Sequence, residues 1–306
     1  MKKLLIIAFV GFFAQLIDGS LGMGFGVTSS SILLTLGLTP AIVSATIHFS
    51  EIATTAASGI SHMSFANADK KLILRLAVPG SMFAFISAAL VSHLHANIVK
   101  PAVALFLISI GIYILYQFAF KGKRSYTDGP PPSNKLLIPL SSVAGFLTAI
   151  GGGGWGPVNT SVLVSRRNAN VRHVIGSVSV SEFFVTIAAS VSFLIFLRLD
   201  QINWGLVAAL SIGGVAAAPF AAWMVKVIPV EVLGIFVGGL IIFTNSNTLM
   251  NAFGADASMA TIVRITVVVA WLGLLLYTLN KAGKLPNFFS KKANAQSRKK
   301  LNKGDG

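Results

Sequence analysis

The sequence predicts an all-α polytopic membrane protein built from two inverted-topology repeats. Each repeat is a glycine-broken re-entrant hairpin plus three transmembrane helices, and an extra C-terminal span follows. Three observations carry this. Only 11% of the 306 residues are charged and 54% are hydrophobic, whereas soluble domains carry about 25% charged residues. The apolar residues gather in stretches of the length a bilayer crossing needs, about 20 residues. A pattern of glycines, hydroxyls and one glutamate in the first half returns in the second.

The first apolar stretch is interrupted. Segments 4–17 and 24–37 flank Gly19-Ser20-Leu21-Gly22-Met23-Gly24-Phe25-Gly26. Continuous spans follow at 41–64, 72–92 and 99–120. A linker with Lys121, Lys123, Arg124 and Pro130-Pro131-Pro132 then leads to the second interrupted stretch, 136–150 and 155–165, around Gly151-Gly152-Gly153-Gly154-Trp155-Gly156-Pro157. Spans at 173–197, 203–225, 229–250 and 259–280 complete the set. Each should be helical, because a backbone exposed to lipid must satisfy its own hydrogen bonds. The organisation is therefore a first membrane repeat (1–120), a cytoplasmic linker (121–135), a second repeat (136–250), a final transmembrane helix (251–280) and a basic cytoplasmic tail (281–306). Met1-Lys2-Lys3 before Leu4 to Phe13 resembles a signal peptide. No small-x-small cleavage site follows, however, and the stretch from Asp18 to Gly26 has a counterpart later in the chain, so the segment reads as part of the fold.

The duplication is legible residue by residue. Gly11-Phe12-Phe13 recurs as Gly145-Phe146-Leu147, and Gly24-Phe25-Gly26 as Gly154-Trp155-Gly156. Ser30 matches Ser161, and Glu51, Thr55 and Ala57 match Glu182, Thr186 and Ala188 at constant offset. Charge then orients the chain. The net charge of +15 is concentrated between apolar segments and in the tail, as membrane orientation requires and nucleic-acid binding does not. With linker and tail cytoplasmic, four spans lie between them, so 136–165 must return to its own side. Arg166, Arg167 and Arg172 are then cytoplasmic as well. The same plan in the first half puts Lys70, Lys71 and Arg75 inside and His93, His95 and the N-terminus outside. The alternative is a single crossing by 4–37 with the N-terminus inside.

The breaks are the strongest local signal for a site. Glycines and proline end helices within the membrane and free backbone groups. Such groups are tolerated at depth only inside protein or along an aqueous cavity. A helix that resumes there presents N–H donors and a positive dipole end to an anion. The candidate binding set is Gly22, Gly24, Gly26, Thr28 and Ser29 in the first half, and Gly152, Gly153, Gly154, Trp155, Gly156, Asn159 and Thr160 in the second. Tight helix packing through small residues is the competing reading, and for Trp155 the competing reading is plain packing. Glu51 and Glu182 fall mid-span, where a carboxylate is costly unless protonated or paired. His48 precedes Glu51 by one turn, and Ser179 holds that place before Glu182. His48, Glu51 and Glu182 are read as coupling or gating residues, against a structural hydrogen bond pinning a helix. Asn245, Ser246 and Asn247 form a further polar cluster, and Arg264 is expected to pair with a carboxylate or to snorkel.

Several classes are excluded. With no cysteine there is no disulfide or thiolate site. Gly151, Gly153 and Gly156 formally spell G-x-G-x-x-G, but inside an apolar segment rather than after a soluble strand. No H-E-x-x-H, nucleophile elbow or P-loop occurs, so no enzyme activity and no cofactor is expected, and His48 with Glu51 is too few ligands for a metal.

At Gly11, Asp18 to Gly26, Gly145-Phe146 and Gly151 to Pro157 the chain resembles the TauE/SafE family of bacterial membrane transporters, and the resemblance extends to about residue 280. It implies a carrier of the cytoplasmic membrane for a small anion, with sulfite, sulfonates such as sulfoacetate and related sulfur compounds as the usual associations. With no nucleotide site, the driving force expected is the proton or the membrane potential. An anion channel using the same broken helices is the alternative. The partners implied are a small anion and membrane lipid, with no nucleic acid. A homodimer is compatible with the reading.

Overall fold

Every regular element among the described residues of the computed structural model is a helix. Those residues are 2–21, 23–64, 68–120, 132–164, 171–197, 200, 202–224 and 230–281. In chain order the helices are α1 (Lys2–Leu21), α2 (Phe25–Thr35), α3 (Pro40–Ser64), α4 (Lys70–His93), α5 (Ala96–Phe120), α6 (Asn134–Gly151), α7 (Trp155–Val164), α8 (Val171–Phe196), α9 (Trp204–Met224), α10 (Val230–Ala252) and α11 (Ala257–Lys281). The spans match the apolar segments to within a few residues. Local chemistry sets several boundaries. Pro40 opens α3, where its missing N–H is not needed. The Asp69 carboxylate caps α4 by accepting the Lys71 and Leu72 N–H groups.

The surface and the interior are those of a membrane protein. Large apolar side chains face outward, among them Ile98, Leu74 and Val269 at 63–72% exposure, far more than a water-soluble surface carries in one belt. Hydroxyls and amides are enclosed instead, including Ser29, Ser30, Ser44, Thr46, His48 and Asn159. Five described helices are long and apolar enough to cross a bilayer by composition: Lys70–His93, Asn97–Phe120, Asn134–Gly151, His173–Phe196 and Ala257–Asn280. At 25 residues α3 is longer than several of these, but His48, Glu51 and its many hydroxyls mask it.

Helix partners exchange between the halves. α1 packs on α9, and α6 on α4; α3 packs on α9, and α8 on α4; α2 packs on α1 and α3, and α7 on α6 and α8. The remaining large contacts join equivalent helices, α3 to α8 and α5 to α10. Both of these pairs run antiparallel. Gly59 lies against Val180 while His48 and Phe193 approach at 5.8 Å between ring centres. Gly111 meets Gly238 and Ile242, while Gly234 lies under Phe118. In contrast α1 runs parallel to α9, with Gly11 against Leu210 and Gly19 against Ala221. α4 likewise runs parallel to α8, with Gly80 near Val185 and the Ser192 hydroxyl donating to the Phe85 carbonyl at 2.7 Å.

At each break the two flanking helices meet the same neighbouring helix. Phe12 and Phe25 meet neighbouring positions of α9, Gly213 and Gly214. Gly145 and Trp155 both lie against Gly80 of α4. The helices that follow the breaks are short, 11 residues in α2 and 10 in α7. At 1.5 Å per residue they cover roughly 15 Å, about half of a 30 Å hydrocarbon core.

The breaks are narrower than the glycine clusters suggest. Gly19 and Ser20 remain in α1, Gly151 in α6, and Gly26 and Gly156 lie inside the resumed helices, so among the described residues the interruptions comprise 23–24 and 152–154. Only Gly24 (φ 136°) and Gly152 (φ 70°) use the left-handed region there. Gly22, most of the linker, Arg166 and Arg167, and the tail from 282 lie outside the described residues.

Candidate functional site

Gly26 and Gly153 explain why glycine is needed where the helix is not broken. A side chain on Gly26 would strike the Gly152 carbonyl and the Gly153 Cα. One on Gly153 would strike the Gly26 and Val27 backbone. The two breaks therefore touch backbone to backbone, and the sequence-predicted glycines converge on one crossing point. Gly24, Gly152, Gly153, Gly154 and Gly156 are all buried there.

Side chains of one half satisfy part of the backbone freed in the other. Ser30 donates to the Gly151 carbonyl at 2.5 Å, and Ser44 to the Ala149 carbonyl at 2.5 Å. The Gly154 N–H donates to Thr148 Oγ1 at 3.2 Å. Each short helix is also tied to the opposite half: Asn245 on α10 donates to Ser31 Oγ at 2.7 Å, and Ser161 donates to Gln117 on α5 at 2.9 Å.

Other polar atoms are left over. Thr28 Oγ1, Ser29 Oγ and Asn159 Oδ1 on the short helices are buried without a hydrogen-bond partner, as are Thr46 Oγ1, His48 Nε2, Glu51 Oε2, Thr186 Oγ1, Ser190 Oγ and Asn245 Oδ1. Buried orphans are uncommon, and each costs about 1–3 kcal/mol. A cluster of them around a backbone crossing is what a polar guest would satisfy. Asn159 uses its amide nitrogen on the Trp155 carbonyl at 3.1 Å. His48 donates through Nδ1 to the Ser44 carbonyl at 2.7 Å, which leaves Nε2 over.

Trp155 is wholly enclosed. Its ring lies against Gly80 and its indole N–H donates to the Val178 carbonyl at 3.0 Å. It wedges α7 between α4 and α8. Phe25 occupies the equivalent place against Gly214.

Glu51 sits mid-helix in α3 and is 2% exposed; Glu182 sits mid-helix in α8 and is partly exposed. The Thr186 hydroxyl approaches Glu51 without closing a hydrogen bond. Asp18, at the end of α1, lies within electrostatic reach of both glutamates. Sequence reasoning took Asp18 as a landmark only, although an ionisable side chain within the membrane is a signal in itself. Arg264, expected to pair with a carboxylate or to snorkel, donates to the Asn247 amide oxygen at 2.7 Å and is exposed. Among the described residues no group of three or more His, Asp or Glu is arranged to hold a metal ion.

The sulfite exporter TauE/SafE family matches residues 7–248, through both breaks and all three carboxylates. A "probable membrane transporter protein YtnM" from Bacillus subtilis (strain 168) is 45% identical over 284 residues, covering 92% of this chain and 95% of its own. No solved structure matches. The multi-pass helical fold, the crossed breaks and these two likenesses agree: the chain belongs to the TauE/SafE family and is a membrane transporter of that type.

Proposed function

We propose that the protein is a secondary carrier that moves a small anion, sulfite or a sulfonate such as sulfoacetate, across the cytoplasmic membrane, binding it at the crossed breaks. The carrying observation is the backbone contact between the Gly24–Gly26 and Gly152–Gly154 regions, with the buried, unpartnered hydroxyls of Thr28 and Ser29 following directly on Gly26 in α2. The first turns of α2 and α7 bring N–H donors and positive dipole ends to this point. Gly24, Gly26, Thr28 and Ser29 would hold the anion from one side, and Gly152 to Gly156, Asn159 and Thr160 from the other. In this reading Trp155 shapes the wall by fixing α7.

We read the fold as two inverted repeats with re-entrant hairpins entering from opposite faces. Support comes from the antiparallel packing of α3 on α8 and of α5 on α10, and from the meeting of both arms of each break with one neighbouring helix. Such repeats alternate access by rocking around a fixed midplane site. The basic residues then give a cytoplasmic linker and tail. Glu51 and Glu182, with His48, couple transport to the proton: they are the ionisable groups in the middle parts of α3 and α8. The family description and the relative's name both speak of transport, and nothing favours the channel alternative.

Purified protein in proteoliposomes, given radiolabelled sulfite and sulfoacetate under an imposed pH gradient, tests this. The expected result is accumulation against the anion gradient that collapses with a protonophore. Passive flux indifferent to the protonophore, or no flux of either anion, refutes it.

A further inference from the structure

The seam between α3 and α8 carries two polar rows. His48, Glu51, Thr55 and Ser58 recur at three- and four-residue steps on α3, and Ser179, Glu182, Thr186 and Ser190 do so on α8, so each set lies on one helix face. The helices run antiparallel with these faces together. The His48 ring lies 5.8 Å from that of Phe193, one step beyond Ser190, and Gly59, next to Ser58, lies against Val180. That register brings Glu51 about level with Ser190, Thr55 with Thr186 and Ser58 with Glu182. Another side of α8 serves α4, through Val185 against Gly80 and Ser192 donating to the Phe85 carbonyl, which leaves Thr186 and Ser190 to α3. All of these polar residues except Glu182 are buried. Four of their atoms lie at successive levels without a hydrogen-bond partner: His48 Nε2, Glu51 Oε2, Ser190 Oγ and Thr186 Oγ1. Thr55 donates to the Glu51 carbonyl at 2.5 Å, which leaves its own oxygen able to accept. Left dry, each orphan costs about 1–3 kcal/mol, whereas one buried water satisfies about three such groups.

The row has one open end. His48 and Phe193 are fully buried, whereas Glu182 is partly exposed and Ser61, one turn beyond Ser58, is exposed. His62, Arg172 and His173 stand at that end of α3 and α8. Of the elements packed on the seam, α2, α7 and α9 carry no charged or titratable side chain. α4 carries Lys70, Lys71 and Arg75 in its first two turns and His93 at its end, α5 carries Lys100, and α6 carries Lys135. Asp18 stands near the end of α1.

We propose that the α3–α8 seam is a proton path, formed by Ser58, Thr55, Thr186 and Ser190 with ordered waters between them, that leads from Glu182 at an open cytoplasmic mouth to Glu51 and stops at His48 under Phe193. This deepens the carrier reading and rests on it. Each hydroxyl passes one hydrogen on and takes one up, so the proton travels and no hydroxyl ends charged. Glu51 is then loaded and unloaded from the cytoplasmic side alone. Thr186 and Ser190 serve the travelling proton and not the anion.

The test compares two modes of radiolabelled sulfite movement in proteoliposomes. Uptake driven by a pH gradient needs net proton movement; exchange at equal pH and equal sulfite on both sides does not. Thr186→Val and Ser190→Ala each remove a hydroxyl at nearly constant shape. Each should slow driven uptake by about 10- to 100-fold, up to the lower end of what a positioned proton-transfer group contributes, and leave exchange at the wild-type rate. Thr186→Ser should keep driven uptake. Thr266→Val, on an exposed part of α11, should change neither mode. Because the chain has no cysteine, single cysteines report access. Ser58→Cys should react with a membrane-impermeant thiol reagent from the same face as Ser133→Cys at the start of α6, and from that face only. Equal slowing of both modes, or wild-type driven uptake in both hydroxyl variants, overturns the inference alone. Should those variants fail to fold, a Ser58→Cys protein that stays unmodified or reacts from the opposite face does the same. No wild-type sulfite flux, or flux indifferent to the pH gradient, overturns the carrier reading and this inference with it.

Discussion

A methyl group on Gly153 is a direct test of the crossing. The Cβ of Gly153→Ala would lie 2.5 Å from the Gly26 carbonyl carbon and 2.9 Å from the Val27 Cα, where ordinary contact begins near 3.4 Å. The obstacles are backbone atoms of α2, so no side-chain rotation relieves the clash, and the breaks must separate by about 1 Å on van der Waals grounds. Overpacking of this kind costs about 1–3 kcal/mol. On the scale of roughly 2–4 °C per kcal/mol, the thermal midpoint in detergent should fall by about 2–12 °C. Flux should suffer more, because a displacement of about 1 Å at a positioned site can cost on the order of 100-fold. The control is Gly273→Ala on α11, where nothing lies within 4 Å. It should match wild type or gain slightly in stability, since alanine favours a helix by about 0.5–1 kcal/mol. The assays are size-exclusion thermostability and liposome flux on the same preparations. Wild-type stability and flux in Gly153→Ala would refute the backbone crossing.

Further perturbations separate structural from transporting roles. Glu51→Gln and Glu182→Gln should fold, with wild-type elution profiles, but transport poorly or lose the pH dependence of flux; wild-type flux at every pH in both variants ends their coupling role. Ser30→Ala strips the Gly151 carbonyl of its donor and should cost about 1–3 kcal/mol, read as a lower thermal midpoint. Trp155→Phe keeps most of the wedge and loses the bond to the Val178 carbonyl, so about 1 kcal/mol is expected. Trp155→Ala should cost about 3–5 kcal/mol, and equal midpoints for these two variants would refute the wedge role.

Much of this architecture could be read from the chain because the membrane enforces it. Lipid leaves the backbone no alternative to helix, so apolar length gave α4, α5, α8 and α11 almost directly. The repeat was legible because Glu51 and Glu182 keep their register with the glycine breaks. What stayed hidden was contact across the halves. Nothing in the string says that Gly26 needs to be glycine for the sake of Gly152, or that Ser30 serves the Gly151 carbonyl, since these pairs are more than 120 residues apart. The extent of the breaks was also misjudged. A glycine cluster shows where a helix can stop, but close packing equally demands glycine, and Gly26 and Gly156 answer that second demand inside a helix. Asp18 carried a signal, an ionisable side chain within an apolar segment, but nothing in the string brings it within reach of Glu51 and Glu182.

The exchange of partners has a consequence for how the chain can be divided. α1 is bedded on α9, and α6 on α4, with Gly11 against the Leu210 carbonyl and Gly145 against the Gly80 carbonyl. Neither α1 nor α6 finds its main support in its own half. Within 1–120, the groove on α4 that receives α6 would be open, and the Asn245 amide that donates to Ser31 would be missing. Within 132–306, the Ala149 and Gly151 carbonyls would lose Ser44 and Ser30, two buried acceptors left bare at about 1–3 kcal/mol each. A half on its own should therefore be unstable even though its individual helices insert. Co-expressed fragments 1–120 and 132–306 should assemble, with a tag on one retrieving the other in stoichiometric amount and flux restored in liposomes. Either fragment expressed alone should be degraded or aggregate on extraction. A single fragment that elutes as a sharp, stable peak would mean that each half closes on itself, and the shared crossing of the two breaks would then be the wrong account of what holds the site together.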